Sequence, residues 1–190
     1  MMNTAEDMKR YRVNEIFYSL QGEGVHTGAA AVFVRLSGCN KHCDFCDTDF
    51  ASFTEMTSNE IVAAIRQYPT DIVVVTGGEP SLQLDCELVE AIHQAGRRIH
   101  VETNGSLPLP DGIDWVTCSP KDRDIRLQRV DEVKLVFTGD NPEWAASLFD
   151  GAHLSLQPLS CSNTAETVAY IKSHPWWRLS LQTHKLIDIP

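Results

Sequence analysis

Residues 31–46 read AVFVRLSGCNKHCDFC, with the first of three closely spaced cysteines at Cys39. The first six of these residues are apolar apart from Arg35, which predicts a buried β-strand over Ala31–Leu36. The strand leads through Ser37 and Gly38 into a loop with C-x₃-C-x₂-C spacing. A strand that ends in a loop of reactive side chains is typical of parallel α/β folds.

Short β-branched runs alternate with helical patterns along the chain, which predicts parallel βα units rather than hairpins. The predicted strands are residues 13–17, 31–36, 72–75, 99–101, 115–117, 133–137, 154–156 and 179–181. The predicted helices are residues 61–67, 85–95, 141 to about 149, and 167–172. A complete barrel needs about 250 residues, so we expect an α/β fold of about six parallel βα units, an incomplete TIM-like barrel. It would form one domain over residues 1–190, and a doubly wound open sheet is the alternative.

Local signals mark several helix ends. Thr57 with Glu60 has the spacing of a capping box, and Asn163 with Glu166 has the same spacing. Gly96 would end the helix over residues 85–95. We therefore expect both pairs to cap the helices that follow them.

Polar motifs follow the predicted strands throughout the chain. They occupy residues 37–39, 76–80, 102–105, 119–121, 157–158 and 182–185. The carboxyl ends of parallel strands lie at one face of the fold, so these motifs would line a single pocket.

The three cysteines Cys39, Cys43 and Cys46 are candidate ligands of an iron-sulfur cluster. Such clusters normally have four thiolate ligands, so three would leave one iron open to an exogenous ligand. A structural zinc with His42 or Asp44 as fourth ligand is an alternative. A non-enzymatic electron carrier is another, although its iron sites are normally all filled by protein thiolates.

The composition favours a small-molecule substrate. The formal net charge is -10, whereas nucleic-acid binding relies on basic patches, so we expect no nucleic-acid partner. Residues 1–20 carry several charges and lack the apolar segment of a signal peptide, and the apolar runs are too short for a membrane span. We expect a cytoplasmic protein with no membrane partner and with reduced cysteines.

The cysteine motif, with Phe45 before its last cysteine and Gly-Gly-Glu-Pro at residues 77–80, resembles the radical S-adenosylmethionine superfamily. Within it, nearly the whole chain is similar to the 7-carboxy-7-deazaguanine synthase family. The stretches that carry this resemblance are residues 15–24, 46–49, 76–80, 102–105, 119–121 and 181–190.

The resemblance implies a 4Fe-4S cluster, S-adenosylmethionine and Mg²⁺ as cofactors. It implies that a 5′-deoxyadenosyl radical abstracts hydrogen from C6 of 6-carboxy-5,6,7,8-tetrahydropterin. The ring then contracts with loss of ammonia to give 7-carboxy-7-deazaguanine, a precursor of queuosine. The cofactor carries this chemistry and the protein orients it, so no side chain is expected as a catalytic residue.

The resemblance also implies residue roles. The expected metal ligands are Cys39, Cys43 and Cys46 for the cluster and Thr48 for Mg²⁺. The expected S-adenosylmethionine contacts are Phe45, Cys46, Asp47, Gly78, Ser119, Pro120, Lys121, Gln157, Pro158, Leu159 and Ser160. The expected pterin contacts are Leu20, Gln21, Gly22, Arg35, Thr76 and the terminal carboxylate of Pro190. Arg35 suits a carboxylate because its planar guanidinium binds both oxygens.

Partners are implied only by the resemblance. It implies a homodimer and an external one-electron donor such as flavodoxin. An activase that abstracts hydrogen from a glycine of a partner protein is the alternative within the superfamily. Glu79 and Glu102 are expected to be structural or orienting carboxylates, and His184 and Lys185 are assigned no role.

Overall fold

The computed structural model describes residues 9–46, 48–49 and 51–190, which form one nine-stranded sheet with the order β3-β1-β2-β4-β5-β6-β7-β8-β9. The strands are β1 (Arg10–Leu20), β2 (Ala30–Leu36), β3 (Thr54–Thr57), β4 (Ile72–Gly77), β5 (Arg98–Thr103), β6 (Trp115–Cys118), β7 (Glu132–Phe137), β8 (His153–Pro158) and β9 (Arg178–Leu179). The strands from β2 through β4 to β9 are paired in parallel, and β3 and β9 remain at the two edges. The sheet is therefore an incomplete, unclosed barrel, which confirms the predicted fold class.

Strand β1 corrects the prediction that the chain contains no hairpin. It pairs antiparallel with β2, from Leu20 opposite Ala30 to Val13 opposite Leu36. Residues 21–29 are too few for the crossover of a dozen or more residues that a parallel pair requires. The chain turns back instead, with Gly24 and Gly28 at positive φ. Strand β3, which was not predicted, covers only residues 10–13 of β1.

The helices are α1 (Ser58–Ile65), α2 (Cys86–Gln94), α3 (Glu143–Ala146), α4 (Thr164–Ser173) and α5 (Thr183–Ile187). The capping box predicted at Thr57 and Glu60 is present, and Gly96 follows α2 at a φ of +74°. Thr57 satisfies a backbone N–H at the start of α1, and a glycine tolerates the left-handed conformation after α2.

Other helix predictions were wrong in detail. Asn163 does not cap α4, because its amide accepts from Leu159 N and donates to Phe137 O. Helix α3 ends at Ala146 rather than near residue 149, and α5 was not predicted. The connections over 104–114 and 119–131 contain no helix, and the structure describes both completely. Only four of the six parallel crossovers therefore carry a helix.

The two faces of the sheet have different environments. The outer face packs against the helices through residues such as Val73, Val75 and Val133. A smaller apolar cluster of Ala31, Phe33, Ile72 and Val74 lies on the opposite face. Alternation along each strand therefore sends every second side chain into the barrel. Among the described residues, no helix has the length and apolar character needed to cross a membrane.

Candidate active site

One cavity of about 710 Å³ lies at the ends of the parallel strands and contains nearly all of the predicted site residues. The predicted residues that line it are Leu20, Gln21, Gly22, Arg35, Cys39, Cys43, Phe45, Cys46, Thr48, Thr76, Gly78, Ser119, Lys121, Gln157, Pro158, Leu159, Ser160 and Pro190. Pro120 lies instead in an adjoining cavity of about 200 Å³, whose lining also includes Phe45 and Lys121. Asp47 lies outside the described residues. The polar motifs therefore meet at one place, although their individual roles remain predictions.

The cysteine loop follows β2 directly. Cys39, Cys43 and Cys46 are free thiols that line the cavity. Burial raises the pKa of Cys39, while a hydrogen bond from Lys41 N to its Sγ, 3.4 Å long, acts in the opposite direction. Among the described residues, no three His, Cys, Asp or Glu side chains are arranged to hold a single metal ion. Three thiols of one loop that line the same cavity are the donor type that an iron-sulfur cluster requires.

A polar network joins the cysteine loop to the end of β5. Asn40 donates to Ser106 Oγ at 2.9 Å and accepts from Asn104 Nδ2 at 3.0 Å. Asn104 N donates to the carboxylate of Glu79 at 2.7 Å, and Thr103 Oγ1 donates to the same carboxylate at 2.6 Å. Glu79 is completely buried, so these hydrogen bonds are needed to offset its desolvation. Glu79 thereby links the segment that follows β4 to the end of β5, next to the cysteine loop.

Gly77 and Gly78 are required by the packing of β4 against the end of β2. A Cβ on Gly77 would lie 2.0 Å from Leu36 O, and a Cβ on Gly78 would lie 2.3 Å from Gly38 O. Gly77 also has a φ of +137°. The glycines therefore allow one backbone to approach another, which brings residue 78 into the cavity wall beside the cysteine loop.

Arg35 and Lys121, two of the cations that line the cavity, have different surroundings. Arg35 donates from Nε to Glu15 at 2.7 Å and lies over the ring of Phe17. Lys121 donates to Ser119 Oγ at 2.8 Å, and burial lowers its pKa. Both cations can attract anionic groups of bound molecules, and Arg35 does so while paired with Glu15.

The carboxyl-terminal tail covers the side of the barrel next to β1. Thr183 N donates to Gly22 O at 2.9 Å, and Ser19 Oγ donates to Pro190 O at 2.7 Å. Gly24 N donates to Ser180 Oγ, so the loop between β1 and β2 also contacts the segment that follows β9. The loop and the tail thereby occupy the side on which the sheet does not close.

The chain is similar in sequence and fold to known radical S-adenosylmethionine proteins. The Radical SAM superfamily matches residues 33–142. A 7-carboxy-7-deazaguanine synthase of Bacteroides thetaiotaomicron is 55% identical over 94% of this chain and 98% of that protein, and one of Bordetella pertussis is 44% identical over 95% and 99%. The crystal structure of QueE from Escherichia coli superposes with a TM-score of 0.79 at 29% identity, covering 92% of this chain and 95% of that one.

The chain belongs to the 7-carboxy-7-deazaguanine synthase family. It is therefore an enzyme of the radical S-adenosylmethionine class, which rules out the non-enzymatic modules considered above. Membership in this class implies a 4Fe-4S cluster and S-adenosylmethionine. Cys39, Cys43 and Cys46, which line the cavity, are the residues that would hold the cluster.

Sequence reasoning missed Lys134, which lines the cavity from β7. Lys134 Nζ donates to Glu23 Oε2 at 2.5 Å and to Glu102 Oε2 at 3.2 Å. A signal was present, because Lys134 stands between Val133 and Leu135 in a strand and must then point away from the helices. Its partners could not be inferred, since Glu23 is 111 residues away along the chain.

Proposed function

We propose that this enzyme converts 6-carboxy-5,6,7,8-tetrahydropterin to 7-carboxy-7-deazaguanine with loss of ammonia. It would thus be a carbon–nitrogen lyase. The observation that carries the proposal is that one cavity contains both the cysteine loop and the predicted pterin residues, from Leu20 to Pro190. A shared cavity would allow a hydrogen donor and a hydrogen abstractor to meet, as a radical reaction requires.

The cluster end of the cavity would hold the cofactors. Cys39, Cys43 and Cys46 would ligate the cluster, and S-adenosylmethionine would lie between Phe45 and the residues that follow β6 and β8. When bound, these groups supply the one-electron chemistry that abstracts hydrogen from the substrate. The chain itself excludes water and fixes the distance between cofactor and substrate. Lys121, over the ring of Phe45, contributes positive charge close to where the methionine carboxylate would bind.

The pterin would be oriented by its carboxylate. Arg35 is best suited to bind this carboxylate, because a guanidinium can bind both of its oxygens. Thr48 also lines the cavity, and its hydroxyl is an oxygen ligand of the kind that Mg²⁺ accepts while retaining several waters. Thr48 would hold the Mg²⁺, which would supply positive charge for the substrate carboxylate. The carboxylate of Pro190 would contact the substrate from the tail.

The enzyme would need an electron donor and a reducing compartment. An external one-electron donor such as flavodoxin would reduce the cluster, and the enzyme would act as a cytoplasmic homodimer. A reducing compartment suits the free thiols, because disulfides are rare in the cytosol. The net charge of -10 supports a small-molecule substrate rather than a nucleic acid.

An anaerobic turnover assay tests the function. The reconstituted and reduced enzyme is incubated with S-adenosylmethionine, Mg²⁺ and the carboxypterin, and products are followed by mass spectrometry. We expect one ammonia for each 7-carboxy-7-deazaguanine formed. Reductive cleavage of S-adenosylmethionine without any deazaguanine would reject the substrate, and an absence of bound iron would reject the mechanism.

A further inference from the structure

Lys134 is a buried cation inside the barrel. Its strand neighbours Val133 and Leu135 belong to the core beneath the helices, so the lysine side chain points to the opposite face. The side chain is only 5% exposed. An ammonium group at such a position is costly unless oppositely charged groups surround it.

Two carboxylates from distant segments surround this ammonium group. Glu23 belongs to the loop between β1 and β2, and Glu102 belongs to β5. Burial alone would lower the pKa of Lys134, but the two carboxylates raise it above its ordinary value. Although burial opposes it, contact with Lys134 lowers the pKa of Glu23. The ammonium group of Lys134 and the carboxylate of Glu23 therefore each stabilise the charged form of the other.

The same carboxylates organise amide side chains in the cavity wall. Gln21 donates to Glu102 at 2.9 Å, whereas Gln182 at 3.0 Å and Gln157 at 3.3 Å donate to Glu23. These contacts join the loop between β1 and β2, strands β5, β7 and β8, and the tail. Lys134 is the group that links the two halves of this network.

The network leaves an excess of hydrogen-bond acceptors in the cavity. Two carboxylates face one ammonium group, and each carboxylate has about four lone-pair sites, so both can accept further N–H groups. The amino-pyrimidinone edge of a pterin presents such N–H groups. Arg35 on β2 and Glu102 on β5 are separated by one strand, which corresponds to roughly 10 Å. A two-ring pterin could place its carboxylate near the first and its N–H edge near the second.

We propose that Lys134 is a positioning residue that holds Glu102 and Glu23 where they accept N–H groups from the amino-pyrimidinone edge of the substrate. This inference rests on the proposed function, since it takes the carboxypterin as the substrate. Lys134 itself acts through the carboxylates and not on the reacting carbon. Its loss should therefore weaken pterin binding and leave the cofactor end of the cavity unchanged.

The test compares Lys134→Met with the wild-type holoenzyme under anaerobic conditions. Binding of the carboxypterin and of S-adenosylmethionine is measured separately by calorimetry. We expect pterin affinity to fall roughly tenfold to a hundredfold, as for the loss of a charge-assisted hydrogen bond, with S-adenosylmethionine affinity unchanged. Lys172→Met is the matched control, because Lys172 is exposed on α4, and it should change neither affinity.

A second variant covers the case in which Lys134→Met does not fold. Lys134→Met with Glu23→Gln removes one charge of each sign, and neutral replacement of a buried ion pair often preserves folding. The same selective loss of pterin affinity is expected. A third measurement uses the wild type alone with a carboxypterin analogue that carries hydrogen in place of the 2-amino group, which should bind roughly tenfold more weakly.

The outcomes separate the inference from the function on which it rests. Failure of the wild type to convert the carboxypterin rejects the proposed function. Suppose instead that the wild type converts the carboxypterin. The role of Lys134 is then overturned if the folded Lys134 variant binds the pterin within twofold of wild type. It is also overturned if the variant loses equal affinity for the pterin and for S-adenosylmethionine. Equal binding of the analogue and the substrate by the wild type overturns it as well.

Discussion

Gly22 and His184 are in direct contact across the unclosed side of the barrel. A Cβ on Gly22 would lie 2.3 Å from His184 Nδ1, although the backbone of Gly22 does not have the positive φ that disfavours alanine. Gly22→Ala should therefore displace the tail by steric contact alone. We expect a severalfold loss of kcat/KM for the pterin, with only a small change in Tm because the tail lies at the surface.

The double variant Gly22→Ala with His184→Ala provides the check on this explanation. Removing the imidazole relieves the contacts with Nδ1 and Cγ and leaves only the His184 Cβ at 3.0 Å, so the effects of the two substitutions should be non-additive. Additive losses in kcat/KM would show that the imidazole is not what the added methyl group meets.

The carboxyl terminus gives a second prediction. Ser19 donates to Pro190 O, which holds the last residue in the cavity wall. Adding several residues after Pro190 converts its carboxylate to an amide and removes that negative charge from the cavity wall, so turnover should fall by about an order of magnitude. The same residues added before Met1 serve as the control. Full activity of the extended enzyme would remove the terminal carboxylate from the site.

The buried carboxylate of Glu79 gives a third prediction. Glu79→Gln replaces an oxygen that accepts from Thr103 Oγ1 or Asn104 N with an amide that cannot accept, at a cost of about 1–3 kcal/mol in the free energy of unfolding. Urea unfolding measures the loss, and iron retention should fall as the cysteine loop loses its support. Glu90→Gln on the exposed face of α2 is the matched control and should unfold like the wild type.

Cysteine replacement gives a fourth prediction. Serine at Cys39, Cys43 or Cys46 should reduce bound iron from about four atoms per chain to a small fraction of one after anaerobic reconstitution. Cys86→Ser is the control, because Cys86 is exposed at the start of α2 and away from the cavity. A full iron complement in any of the three single variants would contradict the ligand assignment.

His100 gives a prediction for the pH dependence of stability. Burial, with His26 and Arg98 nearby, lowers the pKa of His100 to about 4, although Asp114 and Asp71 act in the opposite direction. The unfolded chain, with a histidine pKa of about 6.5, binds more protons between these values, so stability is lost as the pH falls from about 6.5 towards 4. The loss from this group should reach roughly 2–3 kcal/mol at the lower limit.

Urea unfolding at several pH values measures this effect in the wild type and in His100→Phe. The phenyl ring can retain contact with the rings of His26 and Trp115, which lie 4.5 and 6.3 Å from that of His100. The variant should show a shallower loss of stability on acidification. Identical slopes in the two proteins would assign the acid sensitivity to other groups.

Much of this fold could be predicted because its strands are short β-branched runs with clear ends. The order of polar motifs after those strands also predicted one shared cavity, since parallel strands place their carboxyl ends together. The predicted direction of β1 was wrong. Alternating strand and helix patterns favour parallel pairing, but residues 21–29 are too short for a crossover and allow only a hairpin.

The charged network around Lys134 could not be predicted from local patterns. Glu23, Glu102 and Lys134 are far apart in the sequence and meet only after the barrel has formed. The cap predicted at Asn163 failed for the same reason. Its spacing from Glu166 fits a capping box, but its amide instead forms hydrogen bonds with Phe137 in β7 and with Leu159 after β8. Tertiary contacts decided both outcomes.

The loop and tail that cover the unclosed side of the barrel have a consequence for exchange with solvent. A wall of β-strands can be opened only by breaking ladder hydrogen bonds, whereas the contact between Thr183 and Gly22 can separate with the sheet intact. Reactant arrival and product departure at this flank would then require only the displacement of a few terminal residues. The hydrogen bonds that join Asn40 of the cysteine loop to Asn104 and Ser106 do not involve the tail, so its displacement leaves them intact.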